Sequence, residues 1–318
     1  MHDKKIRVAL VYKKSYNFFQ PDHFDRTSYD FFFKALKRNE QLDVFYYPCE
    51  KKFDISKIKN KCDVILLPNN RTDGSPDVLI DIKNSNIPVV SRTGDPHNAK
   101  KYNQTEFCEI NKIDYLFSSL LDSLIYKYYP KNIKQKIIIF GLEPELYQNL
   151  KPYNERIKDE ILNTGVMGNK SLKSRIANKL LNPGFSGWYL YKLRTLCNDL
   201  SYVHYEGMKD GKYPFDGNFP KYLSQYRAVI AACTVYPVQK YWEMTAAGCL
   251  TFMEMTEIND GYYLGFKDGE TSIFMNEKNY KKKFEEFLND PDNKKWQEIA
   301  CAGREYVLNN LTNEKAAN

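Results

Sequence analysis

Lys240 and Glu243 stand three positions apart in the stretch YRAVIAACTVYPVQKYWEMTAAGCLTFMEM, residues 226–255. On a helix that spacing places an ammonium and a carboxylate on one face. The flanking runs, Arg227–Thr234 and Cys249–Met253, are short, apolar and rich in strand formers, the pattern of buried parallel strands. Between them Pro237 suits the first position of a helix and Gly248 its C-terminal cap. Val238, Tyr241, Trp242, Thr245 and Cys249 then form an apolar stripe, with Lys240, Glu243 and Ala247 opposite. A helix N-terminus at the end of a parallel strand offers free N–H groups to an anion. Beside it, Lys240 would neutralise a diphosphate and Glu243 would accept bonds from two ribose hydroxyls. Taken alone, the same spacing also describes an i,i+3 ion pair on a solvated face, worth about a few tenths of a kcal/mol.

Five further constellations carry chemistry. In NTGVMGNKSLKSR, residues 163–175, Gly165 and Gly168 separate a strand from a helix, and glycine there lets backbone approach a ligand closely. Lys170, Lys173 and Arg175 bring positive charge to a helix start whose dipole alone favours acids, which makes most sense with an anion bound. A plain glycine turn with solvated lysines is the alternative. In VVSRTGDPHN, residues 89–98, Asp95 and His97 follow a strand, and either could take a proton near neutral pH; an Asp-Pro turn with an exposed His is the alternative. Asn69, Arg71 and Asp73 in LPNNRTDG could bind hydroxyls, although such a turn needs no function. His204 and Glu206 end the strand of VHYEG, and DGETS, residues 268–272, is an acidic glycine turn. There is no HExxH, no clustered Cys/His, no EF-hand loop and no suitably placed D-x-D pair, so no bound metal is expected.

These groups need a scaffold. Strands are expected at Ile6–Tyr12, Leu42–Tyr47, Asp63–Leu67, Ile87–Ser91, Tyr115–Ser118 and Lys136–Phe140, with helices at Ser28–Arg38 and Pro76–Lys83. After the proline-bearing segment Gly141–Asn154 the alternation resumes: strand Glu160–Thr164, helix Ser171–Leu181, a break at Asn182–Gly187, helix Tyr189–Asp199, strand Tyr202–Tyr205, a glycine-rich loop 206–218 and a short helix Lys221–Tyr226. Two helices, Tyr280–Leu288 and Lys294–Asn309, close the chain. Strands alternating with helices define a doubly wound α/β protein. The loop after the first strand, YKKSYNFFQPD, lacks GxGxxG and is bulky and aromatic; that argues against a dinucleotide site in this half and suits a sugar acceptor, or simple packing of Phe18 and Phe19.

The chain has 318 residues, 42% of them hydrophobic and 15% aromatic, enough for two cores. A net charge of +7, spread along the chain, permits an anionic donor or an anionic membrane surface and does not indicate nucleic acid. The seven cysteines, at 49, 62, 108, 197, 233, 249 and 301, form no CxxC pair and read as buried free thiols of a reducing compartment. MHDKKIRVALVY runs straight into a strand, and no apolar run reaches membrane-spanning length. A cytoplasmic protein, peripheral at most at the inner face of the membrane, is expected.

KYWEMTAAGCLTFM resembles the K-[YF]-[FW]-E-x-x-A-x-G signature of GT-B glycosyltransferases, in particular the group similar to CgeB-like spore-maturation proteins and glycosyltransferase family 1. The resemblance covers the second half and, more loosely, the strand pattern of the first. It implies two Rossmann-like doubly wound domains facing across a cleft: an acceptor-side domain over residues 1–145 and a donor domain over 146–318, the last helix packing back on the first. It also implies metal-independent transfer of a sugar from a nucleotide-sugar donor to a glycan, lipid-linked or other surface-polymer acceptor, with no separate cofactor. The helix Glu that holds the donor ribose maps onto Glu243. Lys240, Gly165, Gly168, Lys170, Arg175, Glu206 and Tyr236 are the other donor-binding candidates, and His97 or Asp95 the general base. Many chains of this kind carry a second Glu eight residues before the first; here that position is Val235. A nucleotide-sugar epimerase on the same fold and a non-catalytic nucleotide- or sugar-binding module remain open beside the transferase. So do the donor, the acceptor, the stereochemistry and the oligomeric state.

Overall fold

A computed structural model of the chain describes residues 4–15, 28–181, 186–207 and 218–318. The aromatic loop with Phe18 and Phe19, residues 182–185 of the expected break and residues 208–217 of the glycine-rich loop lie outside the described residues. The chain divides into two compact units, Met1–Leu142 with Thr312–Asn318, and Glu143–Leu311.

The first unit is built on a six-stranded parallel sheet. Its elements in chain order are β1 (Ile6–Lys13), α1 (Ser28–Arg38), β2 (Leu42–Cys49), β3 (Lys52–Asp54), β4 (Val64–Leu67), β5 (Val78–Ile80), β6 (Val89–Arg92), α2 (Gln104–Ile110), β7 (Tyr115–Ser118), α3 (Asp122–Ile125) and β8 (Lys134–Ile137). The sheet order is β2-β1-β4-β6-β7-β8, and β3 and β5 pair apart from it. In β1 the run Val8–Val11 is buried throughout, as a strand covered on both faces requires. Helix α1 contributes Phe32 and Phe33 to a core with Leu10, Leu66, Phe117 and Phe140, where the Phe32 and Phe140 rings lie 5.1 Å apart. Pro76–Lys83, expected as a helix, instead contains β5 and a single 3-10 turn at Ile82–Asn84. Its Leu79 is buried and pairs with Phe53, and this pairing overrides the local spacing.

The second unit has a five-stranded parallel sheet of order β10-β9-β11-β12-β13. Its elements are β9 (Ile157–Thr164), α4 (Leu172–Leu181), α5 (Gly187–Leu190), α6 (Lys192–Cys197), β10 (Val203–Glu206), α7 (Phe219–Leu223), β11 (Tyr226–Ala231), α8 (Lys240–Ala246), β12 (Leu250–Glu254), β13 (Ile273–Met275), α9 (Tyr280–Asn289) and α10 (Lys294–Asn310). The expected single helix over Tyr189–Asp199 is two, α5 and α6, broken at Tyr191 with ψ at +30°. Strands β11 and β12 are buried along their whole length, with Phe252 packed edge-on to Phe284 at 4.8 Å.

The chain re-enters the first unit in α11 (Asn313–Ala317), which packs on α1. Buried Asn313 fixes the return, accepting from the Gly141 amide at 2.7 Å and donating its own amide to the Leu142 carbonyl at 2.9 Å.

Helix α10 lies on α8, and Gly303 is the point of closest approach. A Cβ there would sit 2.2 Å from the Thr271 carbonyl oxygen and 2.8 Å from Thr245 Cγ2. Backbone cannot yield as a side chain can, so Gly303→Ala should lower the urea unfolding free energy by about 1–3 kcal/mol. An unchanged midpoint would contradict this packing.

Candidate functional site

In a parallel sheet, the crevice beyond the strand ends opens where the strand order reverses. In the second unit the chain crosses from β9 to β10 on one side and to β11 on the other, so the reversal lies between β9 and β11. The segments leaving there are 165–171 and 232–239.

Two cations converge on this point. Lys240 Nζ donates to Thr164 Oγ1, at the end of β9, at 2.8 Å. The buried Arg194 donates from one guanidinium nitrogen to the Ala232 carbonyl, just past β11, at 2.5 Å, and from the other to the Val166 carbonyl at 3.1 Å. Its guanidinium also lies over the Tyr191 ring at 4.7 Å. Gly165 holds a φ of +96° between them, where a Cβ would fall 2.2 Å from Lys240 Nζ and 3.2 Å from an Arg194 nitrogen. The Tyr205 hydroxyl donates to the Gly165 carbonyl at 2.8 Å and fixes the turn. Burial, and then the charge of Arg194, push the Lys240 ammonium well below its ordinary range, and Glu243 opposes them.

Glu243 is half-buried on the same helix. Its carboxyl is pushed up to about 7 by burial, with the Lys240 charge drawing it back, and it accepts no hydrogen bond among the described residues. Buried Tyr147 is close enough to feel its charge. A second carboxyl, Glu254 at the end of β12, is 1% exposed and also pushed up to about 7, mainly by burial. Thr234 donates to one of its oxygens at 3.2 Å, and the other is unpartnered. Asn259 ties the strand ends together, donating to the Cys233 carbonyl at 3.2 Å and the Glu254 carbonyl at 2.5 Å.

Helix α8 begins at Lys240, not at Pro237. The Tyr241 amide bonds the Val238 carbonyl, and the Gln239 side chain does not cap the helix, so the first turn is wound tightly ahead of the helix proper. Gly248 does end it, at a φ of +70°. The face bearing Lys240 and Glu243 is not a solvated one: Ala247 on it is fully buried and both charged residues are half-buried.

The remaining donor-side candidates lie differently. The space over Gly168 is filled by protein, since a Cβ would sit 2.4 Å from Trp188 Cα. Lys170 pairs with Asp199, and Arg175 lies over the Trp188 ring at 4.5 Å. Glu206 faces His204, with 3.6 Å between a Glu206 carboxylate oxygen and His204 Nε2. Tyr236 is half-buried in the segment before α8. Asp268 accepts from the Phe274 amide at 2.7 Å and so anchors the start of β13. Arg194 escaped sequence reasoning, because one of two cations in YLYKLRTLC looks like an ordinary surface residue; Glu254 read as part of a strand.

In the first unit, Asp95 and His97 lie just past β6, in and before the 3-10 turn Pro96–Asn98. Asp95 is exposed and His97 half-buried, its Nε2 3.2 Å from Asn98 Nδ2. Burial lowers the His97 pKa and the Asp95 charge opposes this, a shift that favours the neutral ring. The loop is stitched to the one after β4: Arg92 Nε donates to the Pro68 carbonyl at 3.0 Å, and the Gly94 amide donates to Asn70 Oδ1 at 2.9 Å. Asn69, Arg71 and Asp73 largely satisfy one another in that second loop.

Two Rossmann-like units with parallel sheets and a charged strand-end site in the second define the GT-B fold, and the chain has it. No family model matches the chain, and no curated protein does either. Among solved structures it is similar to a sucrose-phosphate synthase from Thermosynechococcus elongatus, with a TM-score of 0.56 and 10% identity over 98% of this chain and 96% of that one. It is similar to a glycosyltransferase from Rickettsia africae, with a TM-score of 0.54 and 13% identity over 98% and 96%. It is also similar to Alr3699/HepE of Anabaena in complex with UDP, with a TM-score of 0.54 and 10% identity over 98% and 97%.

The Glu243 carboxyl gives a test of this geometry in the ligand-free protein. Its folded value of about 7 lies above the ordinary 4.5, so the folded state binds the proton more tightly than the unfolded one. Its contribution is complete below about 4.5 and is lost as pH rises through about 7. Glu243→Gln should therefore match the parent in urea midpoint at low pH. At alkaline pH it should be more stable by about 1–3 kcal/mol. Equal stability at both ends would place the carboxyl in solvent.

Proposed function

We propose that the chain is a glycosyltransferase whose second unit binds a nucleotide-sugar donor. The observation that carries this reading is the pairing of Lys240 with Arg194 around Gly165 at the β9/β11 reversal. Two like charges held together in a half-buried place are electrostatically incomplete, and a diphosphate there would offset the Arg194 charge that, after burial, depresses Lys240. Glu243, with no hydrogen bond on its carboxyl among the described residues, is free to accept from the two ribose hydroxyls. The complex of the Anabaena protein with UDP is in keeping with such a donor.

In the reaction the bond from the sugar anomeric carbon to the diphosphate oxygen breaks, and a bond from an acceptor hydroxyl oxygen to that carbon forms. Arg194 and Lys240 neutralise the charge growing on the departing diphosphate, and no metal is needed for this role. His97, whose burial favours the neutral ring, or Asp95 takes the acceptor proton if the reaction inverts. The acceptor is a glycan or a lipid-linked glycan, and the work is done in the cytoplasm or at the inner face of the membrane. No helix among the described residues is long and apolar enough to cross a membrane.

Calorimetry with UDP and other nucleoside diphosphates tests the donor side. The parent should bind at least one of them, and Lys240→Met and Glu243→Ala should each weaken it by about 10- to 100-fold. If none binds, or if Glu243→Ala binds as the parent does, the donor assignment is wrong. On the acceptor side, His97→Ala should leave that binding intact and lower transfer by about 100- to 10,000-fold. Unchanged transfer would remove His97 from the mechanism and leave Asp95.

A further inference from the structure

Helix α4 is amphipathic, yet its unit does not cover it. All of its described side chains except that of Ser174 are exposed. Among them Leu172 is 68% exposed, Ile176 53% and Leu180 78%, and these three follow i,i+4 spacing as one stripe along the helix. Leu181, 78% exposed, extends the apolar surface at the C-terminal end. A ten-residue helix is marginal by itself in water and normally takes its stability from burying such a stripe. Beside it, Leu172, Ile176, Trp188 and Tyr189 line a groove of about 400 Å3 to which Arg175 and Lys179 also contribute.

The surrounding charge identifies the cover. Residues 161–198 contain six cations and no carboxylate, so most of the net +7 lies in this one stretch. Lys170 and Lys192 are ion-paired to Asp199 and Glu277, and Arg194 is buried at the strand ends. Lys173, Arg175 and Lys179 remain on α4 itself, and the helix carries no acid.

We propose that α4 docks on an anionic lipid bilayer, its leucines and Ile176 entering the acyl boundary and its three cations meeting headgroup phosphates. Apolar residues on one stripe, basic residues flanking it and an adjacent Trp and Tyr are what an interfacial helix requires. An acidic protein would offer matching charge but no reason for four exposed aliphatic residues. This gives the membrane contact a surface, and it does not depend on the donor assignment.

The test is co-sedimentation with vesicles of phosphatidylcholine alone and of phosphatidylcholine with phosphatidylglycerol, at low and high salt. UDP calorimetry and thermal melting are run on the same preparations. The parent should sediment with the anionic vesicles only, less so at high salt, with a blue shift in Trp188 emission. Ile176→Glu/Leu180→Glu should lower partitioning about tenfold or more, and Lys179→Glu should lower it about fivefold or more and weaken the salt dependence. Melting and UDP binding should be unchanged in both, because these side chains lie outside the core and the donor site. A parent that stays in the supernatant with anionic vesicles, or variants that sediment as it does, would overturn the proposal. A concentration-dependent mass that Leu180→Glu abolishes, without vesicle binding, would overturn it in favour of self-association. Loss of UDP binding with vesicle binding intact would count against the donor reading only.

Discussion

Two positive charges forced into each other's company at the end of β9 constrain most of the second unit. Lys240 reaches that point because α8 starts late, after a tightened turn, and Arg194 because α5 and α6 break at Tyr191. Gly165 is required by the left-handed backbone there and by the volume of the ammonium. The carbonyls of Val166 and Ala232 are turned to meet the guanidinium, which satisfies donors that would otherwise be desolvated at considerable cost. Buried ion clusters of one sign are poor stabilisers, and nothing in the packing of β11 and β12 calls for one. The arrangement makes physical sense as a receptor for negative charge, held open by the strands.

The carboxyls around it share the same tension. Glu243 and Glu254 are both raised to about 7 by burial, one without a hydrogen bond on its carboxyl and the other with one oxygen bound and one not. In the first unit a run of hydrogen bonds lies behind the loop after β6. Asn70 receives the Gly94 amide and donates to Tyr129 at 2.9 Å, and Tyr129 in turn donates to Gln104. These bonds tie the loop carrying Asp95 and His97 to the loop after β4. One unit thus holds two cations beside two carboxyls raised by burial, while the other holds Asp95 and His97 on a turn tied to its neighbour.

Much of the architecture was legible in the sequence because strands buried on both faces read as unbroken apolar runs. Val8–Val11, Ile65–Leu67 and Ala228–Ile230 all declared themselves this way. The boundaries of α1 and β7 could be read directly. Elements that depend on a distant partner were not legible: β5 exists because Lys52–Asp54 pairs with it, and its Leu79–Ile80–Ile82 spacing looks equally helical. At the site, Lys240 and Glu243 were legible from their spacing and Gly165 from its place after a strand. Arg194 was not, because its function comes from a break in a helix and from two carbonyls 28 and 38 positions away. Gly168 shows the reverse error: its glycine accommodates the backbone of Trp188, a neighbour that local sequence does not announce.

The return of Thr312–Asn318 to the first unit has a consequence for biosynthesis. Asn313 supplies the partner for the Gly141 amide, and Glu314 pairs with Arg38, so these contacts wait until residues 313 and 314 have been made. Every residue of Glu143–Leu311, which forms its own sheet, is synthesised before them. The domain made first is therefore finished last, and until then the nascent chain carries it with one flank of α1 bare.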